Sequence, residues 1–338
     1  MFNNNALLNR NHDAGSSYLI RKSHAEFDRR TIPKSAQEGV WKAADGWKLR
    51  QFSWASDFVS PRGSILFMTG RADFYEKYLE TFNDFHECGW NVTSADWRGQ
   101  GGSGRCGPHR YVGHIDNFSI WVDDLTDLFN DWRASSPAPH VIIGHSMGGQ
   151  IVMRALAMQR IHPDAVILSA PMLAPAGKGM HPWAAKLAAK FMCLIGRAKR
   201  AAWKANNNPL EPDWERQRLL THDNERYTDE FFWLTKRPDL RLGPPSWRWV
   251  DQAYASAAKL RKPIAMRKVK TPILFFVTAV DELVDNAAIE VTHQLLPNSD
   301  IEMFGKESAH EIFREVDAVR DQALDASFQF LDEFAPRK

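Results

Sequence analysis

His140-Val141-Ile142-Ile143-Gly144-His145-Ser146-Met147-Gly148, running on into Gly149-Gln150-Ile151-Val152-Met153-Arg154-Ala155-Leu156, decides how this chain is to be read. The β-branched run up to Ile143 predicts a strand and the stretch from Gly149 predicts a helix, so Gly144 to Gly148 must make a sharp strand-to-helix turn. Such a turn holds its apical residue in a strained backbone conformation, and the flanking glycines are required because a Cβ there would strike neighbouring strands. Ser146 occupies the apex and is the candidate nucleophile. The helix behind it brings backbone N–H groups and a partial positive charge towards a developing oxyanion. A Gly-x-Ser-x-Gly run can arise by chance in a loop, but the strand before it and the helix after it argue against that reading.

The same pattern repeats on either side. Short apolar runs at Ser64–Met68, Asn91–Ala95, Ala165–Leu168, Pro272–Thr278 and Ile301–Phe304 alternate with helix-length segments. Nearly continuous apolar strands separated by helices are covered on both faces, which predicts an α/β fold with a mostly parallel central sheet. Ahead of them Val40-Trp41, Asp45-Gly46 and the run from Trp47 to Trp54 predict an antiparallel hairpin with a tight Asp-Gly turn. The alternation breaks between Leu173 and Met266, where helix-like stretches carry Trp183, Trp203, Trp214, Trp233, Trp247 and Trp249. The expected organisation is an N-terminal arm over 1–38, core over 39–172, a helical cap over 173–266, and the second part of the core over 267–338.

A serine hydroxyl is a weak nucleophile and needs a base and an orienting acid, which in this topology follow in the order Ser, acid, His. After the strand ending at Thr278 comes Ala279-Val280-Asp281-Glu282-Leu283-Val284-Asp285, and after the next strand Gly305-Lys306-Glu307-Ser308-Ala309-His310. Asp281, nearest the strand end, is the expected acid, with Asp285 in reserve. His310 is the expected base, and His293, on a probable helix, is its late rival. The tetrahedral intermediate needs two N–H donors, expected from Met147 and from Arg71 in the loop Thr69-Gly70-Arg71-Ala72-Asp73.

The bulk composition narrows the partners. With 338 residues and 44% hydrophobic content the chain can bury one large core. Lys and Arg number 43 against 41 Asp and Glu, so a net charge of +2 gives no reason to expect nucleic acid. Three cysteines, Cys88, Cys106 and Cys193, form neither a disulfide framework nor a metal pattern, which fits a reducing compartment. The polar stretch from Met1 to Asn11 lacks the apolar core of a signal peptide, and no segment reaches the roughly 18 unbroken apolar residues of a spanning helix. A soluble or peripheral protein in the cytoplasm is expected.

These motifs together resemble the lysophospholipase and monoglyceride lipase branch of the α/β-hydrolases, the bacterial lysophospholipases most closely. The likeness runs from about residue 40 to 335. It rests on Thr69-Gly70-Arg71, Asp96-Trp97-Arg98-Gly99-Gln100-Gly101-Gly102-Ser103-Gly104, His114-Ile115-Asp116-Asn117-Phe118, the nucleophile turn, Ser169-Ala170-Pro171-Met172, Arg226-Tyr227-Thr228, Asp281 and His310. The resemblance implies hydrolysis of monoacyl lipids through an acyl-enzyme, with Ser146, Asp281 and His310 catalytic and no metal or organic cofactor. Monoacylglycerol lipase and general carboxylesterase are the alternatives, and a non-catalytic acyl-binding protein or an aminopeptidase stand further off. An aminopeptidase would need an acidic cluster in the cap, for which Glu211, Asp213 and Glu215 are the residues at hand. Thr69 and Gln100 depart from many relatives, which carry histidine at both positions.

Three other features invite function. The glycine-rich Asp96–Gly104 loop lacks the endings of a nucleotide-binding motif and is read as support for the nucleophile turn. His109 and His114 lack a third metal ligand. The segment from Trp183 to Trp203 combines Leu187, Phe191, Leu194 and Ile195 with Lys186, Lys190, Arg197, Lys199 and Arg200. The favoured reading is that its apolar face roofs the active site. A peripheral place at the inner face of a membrane is the alternative.

Overall fold

A computed structural model describes residues 27–176, 181–204 and 213–337. Its centre is an eight-stranded sheet built from β1 (Gln37–Lys42), β2 (Lys48–Trp54), β3 (Gly63–Met68), β4 (Trp90–Ala95), β5 (His140–His145), β6 (Ala165–Ser169), β7 (Ile273–Thr278) and β8 (Ser299–Phe304), in the order β1-β2-β4-β3-β5-β6-β7-β8. The β1–β2 and β2–β4 pairs are antiparallel, and every pair from β4 through β8 is parallel. This is the α/β fold expected from the apolar runs. The chain steps from β3 outward to β4 and then returns to place β5 on the other side of β3. Ligand crevices of open α/β sheets form where the order reverses in this way, outside the carboxyl ends of the strands.

The helices are α1 (Leu79–Glu87), α2 (Phe118–Ser135), α3 (Met147–Ala157), α4 (Pro182–Leu194), α5 (Trp214–Leu220), α6 (Asn224–Lys236), α7 (Trp247–Leu260), α8 (Pro263–Met266), α9 (Asn286–Leu295) and α10 (Asp317–Phe334). Side chains alternate across a strand, and the sheet divides its apolar residues accordingly. Leu66, Met68, Ile142, Leu168 and Phe275 join a cluster with α2, α3 and α7, whereas Ile65, Phe67, Ile143, Ile167 and Phe276 join one with α1 and α10. Both faces are dry, which is why these strands read as unbroken apolar runs rather than alternating ones.

Residues 173–266 divide between two roles. Trp249, Ala253, Leu260 and Met266 belong to the same core cluster as α2 and α3, so α7 and α8 cover the sheet itself. Helix α6 lies on the other side, fastened by Arg226 to Glu80 of α1 and to Asp317 of α10. Arg29 and Arg30 reach from the N-terminal segment to Asp229 of α6. Helix α4 departs from the favoured expectation: Trp183, Leu187, Phe191 and Leu194 are exposed by 58–84% and Ala189 is the one buried residue, so the large apolar side chains point outward rather than roofing the site. The small face, with its alanines, packs on α7.

Candidate active site

Strand β5 runs on through Gly144 and His145, two residues beyond the apolar run, and delivers Ser146 at its end with φ +49° and ψ −115°. Few non-glycine residues tolerate this conformation, so the surroundings must impose it. Ser146 N–H donates to the carbonyl of Ser169 at 3.0 Å, and its own carbonyl accepts from Gln150 and Met172 at 3.1 and 2.9 Å. Gly148 passes so close to β3 that a Cβ would lie 2.4 Å from the carbonyl oxygens of Met68 and Thr69. The glycine brings the start of α3 against the end of β3, the two places from which oxyanion donors were expected.

The structure brings Ser146, His310 and Asp281 together. Ser146 Oγ is 2.9 Å from His310 Nε2, and His310 Nδ1 is 2.7 Å from Asp281 Oδ2. The other carboxylate oxygen of Asp281 accepts the N–H groups of Leu283 and Val284 at 2.8 and 3.1 Å, which aims the first at the imidazole. Burial pulls the His310 pKa down, but the Asp281 carboxylate, joined by Glu311 and Asp73, more than offsets this and raises it above 6.5. Burial pushes Asp281 up, and the His310 charge outweighs it and keeps the carboxyl ionised below its usual range. The rivals stand elsewhere: Asp285 caps α9 through Ala287 N–H, Glu282 pairs with Arg218, and His293 bonds Ser299.

In the loop after β3, Gly70 N–H donates to Asp73 at 3.0 Å and Ala72 N–H to Gln100 Oε1 at 2.7 Å. Arg71 N–H between them, and Met147 N–H at the start of α3, have no acceptor among the described residues. Both expected donors are thus uncommitted. Gln100 also approaches the Met147 sulfur through Nε2 at 3.6 Å, so this residue, which departs from many relatives, links the two donor segments. Trp97 Nε1 donates to the Thr69 carbonyl at 2.8 Å, and Asp96 accepts from Gly102 and Arg50. The glycine-rich loop therefore braces the site and cradles its own aspartate, since a Cβ at Gly101 would meet Asp96 Oδ2 at 2.2 Å.

Sequence reasoning missed a buried polar layer next to His310. The His145 ring lies 4.9 Å from that of His310, and burial, then the neighbouring His310, push its pKa down to about 4, so it is neutral. Asp73, His145 and Glu311 offer ligand atoms within 4.8 Å of one another. Lys77 Nζ already bonds Asp73 and Glu311 at 2.6 and 2.7 Å, so an ammonium supplies the positive charge a metal would bring. His114 bonds Ser246 and Asp116, a tie between the core and the start of α7. A charged residue in a helical turn looks solvated in a sequence, and only the i,i+4 spacing of Asp73 and Lys77 hinted at a pair.

A strained serine at a strand-to-helix turn, linked through a histidine to an aspartate beyond β7, defines a serine hydrolase of the α/β-hydrolase fold. Residues 59–317 match the family described as serine aminopeptidase, S33, and the chain belongs to that family. It is 29% identical over 276 residues to a probable lysophospholipase L2 of Haemophilus influenzae, covering 80% of this chain and 84% of that one. It is likewise 29% identical over 288 residues to lysophospholipase L2 of Escherichia coli K12, covering 79% and 80%. Among solved structures, a monoglyceride lipase from Saccharomyces cerevisiae superposes with TM-score 0.72 at 19% identity, covering 91% of this chain and 98% of that one. The chain stands in the lysophospholipase and monoglyceride lipase branch of the superfamily, as its motifs implied.

Proposed function

We propose that this protein is a lysophospholipase, releasing a fatty acid from a monoacyl phospholipid through an acyl-enzyme on Ser146. The observation that carries the chemistry is the unbroken array from Ser146 through His310 to Asp281, faced by two uncommitted N–H groups. His310 takes the proton as Ser146 attacks the ester carbonyl, Arg71 and Met147 N–H groups hold the oxyanion, and Asp281 keeps the imidazole in the productive tautomer. His310 then protonates the leaving glycerol oxygen and activates water for deacylation. The relatives' activities support an ester of this class.

The Arg71 side chain favours a phosphate-bearing substrate over a monoglyceride. Its guanidinium has no carboxylate partner among the described residues and spends two N–H groups on the Gly243 carbonyl at 2.9 and 3.0 Å. Trp249 lies beneath it at 5.5 Å. Burial, then the nearby Arg216 charge, pull its pKa down to about 10, so it stays cationic and short of negative charge. Arg71→Ala should lower kcat/KM for lysophospholipid about tenfold or more, the worth of a charged hydrogen bond, and leave monoacylglycerol nearly unchanged. Equal losses on both would remove the phosphate role. An aminopeptidase reading, which the family description invites, lacks this support. Asp213 caps α5, Glu215 is exposed, and the buried carboxylates Asp73, Glu230 and Glu311 are committed to Lys77, Arg216 and Arg314. Glu211 lies outside the described residues.

The outward face of α4 supports a peripheral place on an anionic membrane surface, the inner face of a cytoplasmic membrane being the natural site. From His181 to Lys204 there are six cationic residues and no Asp or Glu, set around the exposed Trp183, Leu187, Phe191 and Leu194. Among the described residues no helix is long and apolar enough to cross a membrane. Replacing Leu187 and Phe191 by Asp should weaken binding to phosphatidylglycerol vesicles by at least about tenfold, the transfer of two large side chains, while hydrolysis of a short soluble ester persists. Undiminished vesicle binding would contradict this role.

A further inference from the structure

Lys77 sits where three parts of the site meet. It lies in a short 3-10 turn, Tyr75–Tyr78, its side chain is fully buried, and its ammonium is 2.6 Å from Asp73, 2.7 Å from Glu311 and 3.3 Å from Glu230. Asp73 belongs to the oxyanion loop, where it also accepts the Gly70 N–H at 3.0 Å. Glu311 follows His310 directly in the chain, and Glu230 comes from α6. Arg216 bonds Glu230 at 2.8 Å and Arg314 bonds Glu311, so three carboxylates face three cations in one group that is buried except at Arg216, whose side chain is partly exposed. Burial opposes the charge on Lys77, yet Asp73, Glu230 and Glu311 outweigh it and raise its pKa, while Lys77 and Arg314 hold Glu311 well below its usual range against the opposing effect of burial.

Such a network costs desolvation and is seldom a net source of stability, while losing one member leaves a charge buried and unpaired. What it provides is geometry. The backbone runs parallel to it: His310 N–H donates to the Leu219 carbonyl at 3.3 Å and Glu311 N–H to the Leu220 carbonyl at 2.7 Å, both at the end of α5. Thr221 Oγ1 adds a bond to the Arg314 carbonyl at 2.7 Å. The segment bearing the base is thus held by α5 as well as by the sheet.

We propose that Lys77 is a positioning residue that locks the oxyanion loop and the His310 loop to each other and to α6, so that alignment of His310 on Ser146 depends on the docked α5–α6 pair. The inference rests on the Ser146–His310–Asp281 site and assigns α5 and α6 a part distinct from a lid. Any opening of the cap that preserves catalysis must then leave α5 and α6 in place.

The test uses a short soluble p-nitrophenyl ester, which needs neither a membrane nor a phosphate contact, with kcat, KM, unfolding temperature and the pH profile of kcat/KM measured together. Lys77→Met is expected to lower kcat about a hundredfold with KM within a few-fold, the scale of a displacement of about 1 Å at the reacting atoms. Glu230→Gln, which removes only the α6 carboxylate, is expected to lower kcat roughly tenfold while the protein stays folded. The groups facing His310 are Asp281, Asp73, Glu311 and His145, with Lys77 and Arg314 behind them and Glu230, paired with Arg216, beyond Lys77. Removing a negative charge from this set should move the acid limb to lower pH in Glu230→Gln, and removing a positive charge should move it to higher pH in Lys77→Met. Should Lys77→Met not fold, Glu230→Gln carries the test alone. A folded Glu230→Gln enzyme with wild-type kcat and an unmoved acid limb would overturn the proposal. Ester hydrolysis that survives Ser146→Ala is a different failure, because it would remove the site itself.

Discussion

Ser146→Ala is expected to reduce kcat by about a million-fold, the loss measured when the nucleophile of a serine hydrolase is deleted. Binding should change little, because the acyl chain and the headgroup are held by other groups. The prediction is sharp because the backbone at Ser146 is imposed from outside the residue. Its N–H and carbonyl are bonded to Ser169, Gln150 and Met172, and Gly148 allows the contact with β3, so alanine inherits the same turn at φ +49°. An unchanged unfolding temperature beside a lost kcat would identify the hydroxyl as the group removed. Residual turnover within tenfold of wild type would move the nucleophile elsewhere.

Asp281→Asn should cost about ten-thousand-fold in kcat with the fold intact, since an amide can donate where the carboxylate accepts and so favours the wrong tautomer of His310. A second effect follows from the pKa directions. In the wild type the Asp281 carboxylate is the foremost of the negative groups that raise His310 above 6.5 despite burial, so kcat/KM is lost as pH falls through a value above 6.5. The base must be neutral to accept the proton, and the amide no longer stabilises the imidazolium. The acid limb of the residual activity should therefore shift to lower pH in the variant. A limb that stays where it was would mean that Asp281 is not what sustains the His310 pKa.

Much of this site is legible in the chain because its geometry is tied to strand ends. A carboxylate just past β7 and a histidine just past β8 can be recognised without coordinates, since the sheet dictates where those ends lie. The dry strands announce themselves for the same reason: burial on both faces leaves room for little but apolar residues, whereas β8, at the edge, begins with the polar Ser299 and Asp300 and is harder to bound. The direction of α4 is not legible. Periodicity says that Trp183, Leu187, Phe191 and Leu194 share a face, and says nothing of whether that face meets protein or water. The Lys77 group escapes for a related reason: apart from the local pairs Asp73–Lys77 and Glu311–Arg314 its members come from distant stretches of the chain, and each taken alone looks like an ordinary surface charge. Gln100 is intermediate, visible as an unusual residue but assigned a part only when its amide is seen between Ala72 and Met147.

The most direct measurement is fatty-acid release from lysophosphatidylethanolamine and from monoacylglycerol by the purified wild type and Ser146→Ala, side by side. Release from the lysophospholipid that exceeds release from the monoglyceride and vanishes in the variant is the expected result. Release confined to monoacylglycerol, or release that persists without the Ser146 hydroxyl, would contradict the account.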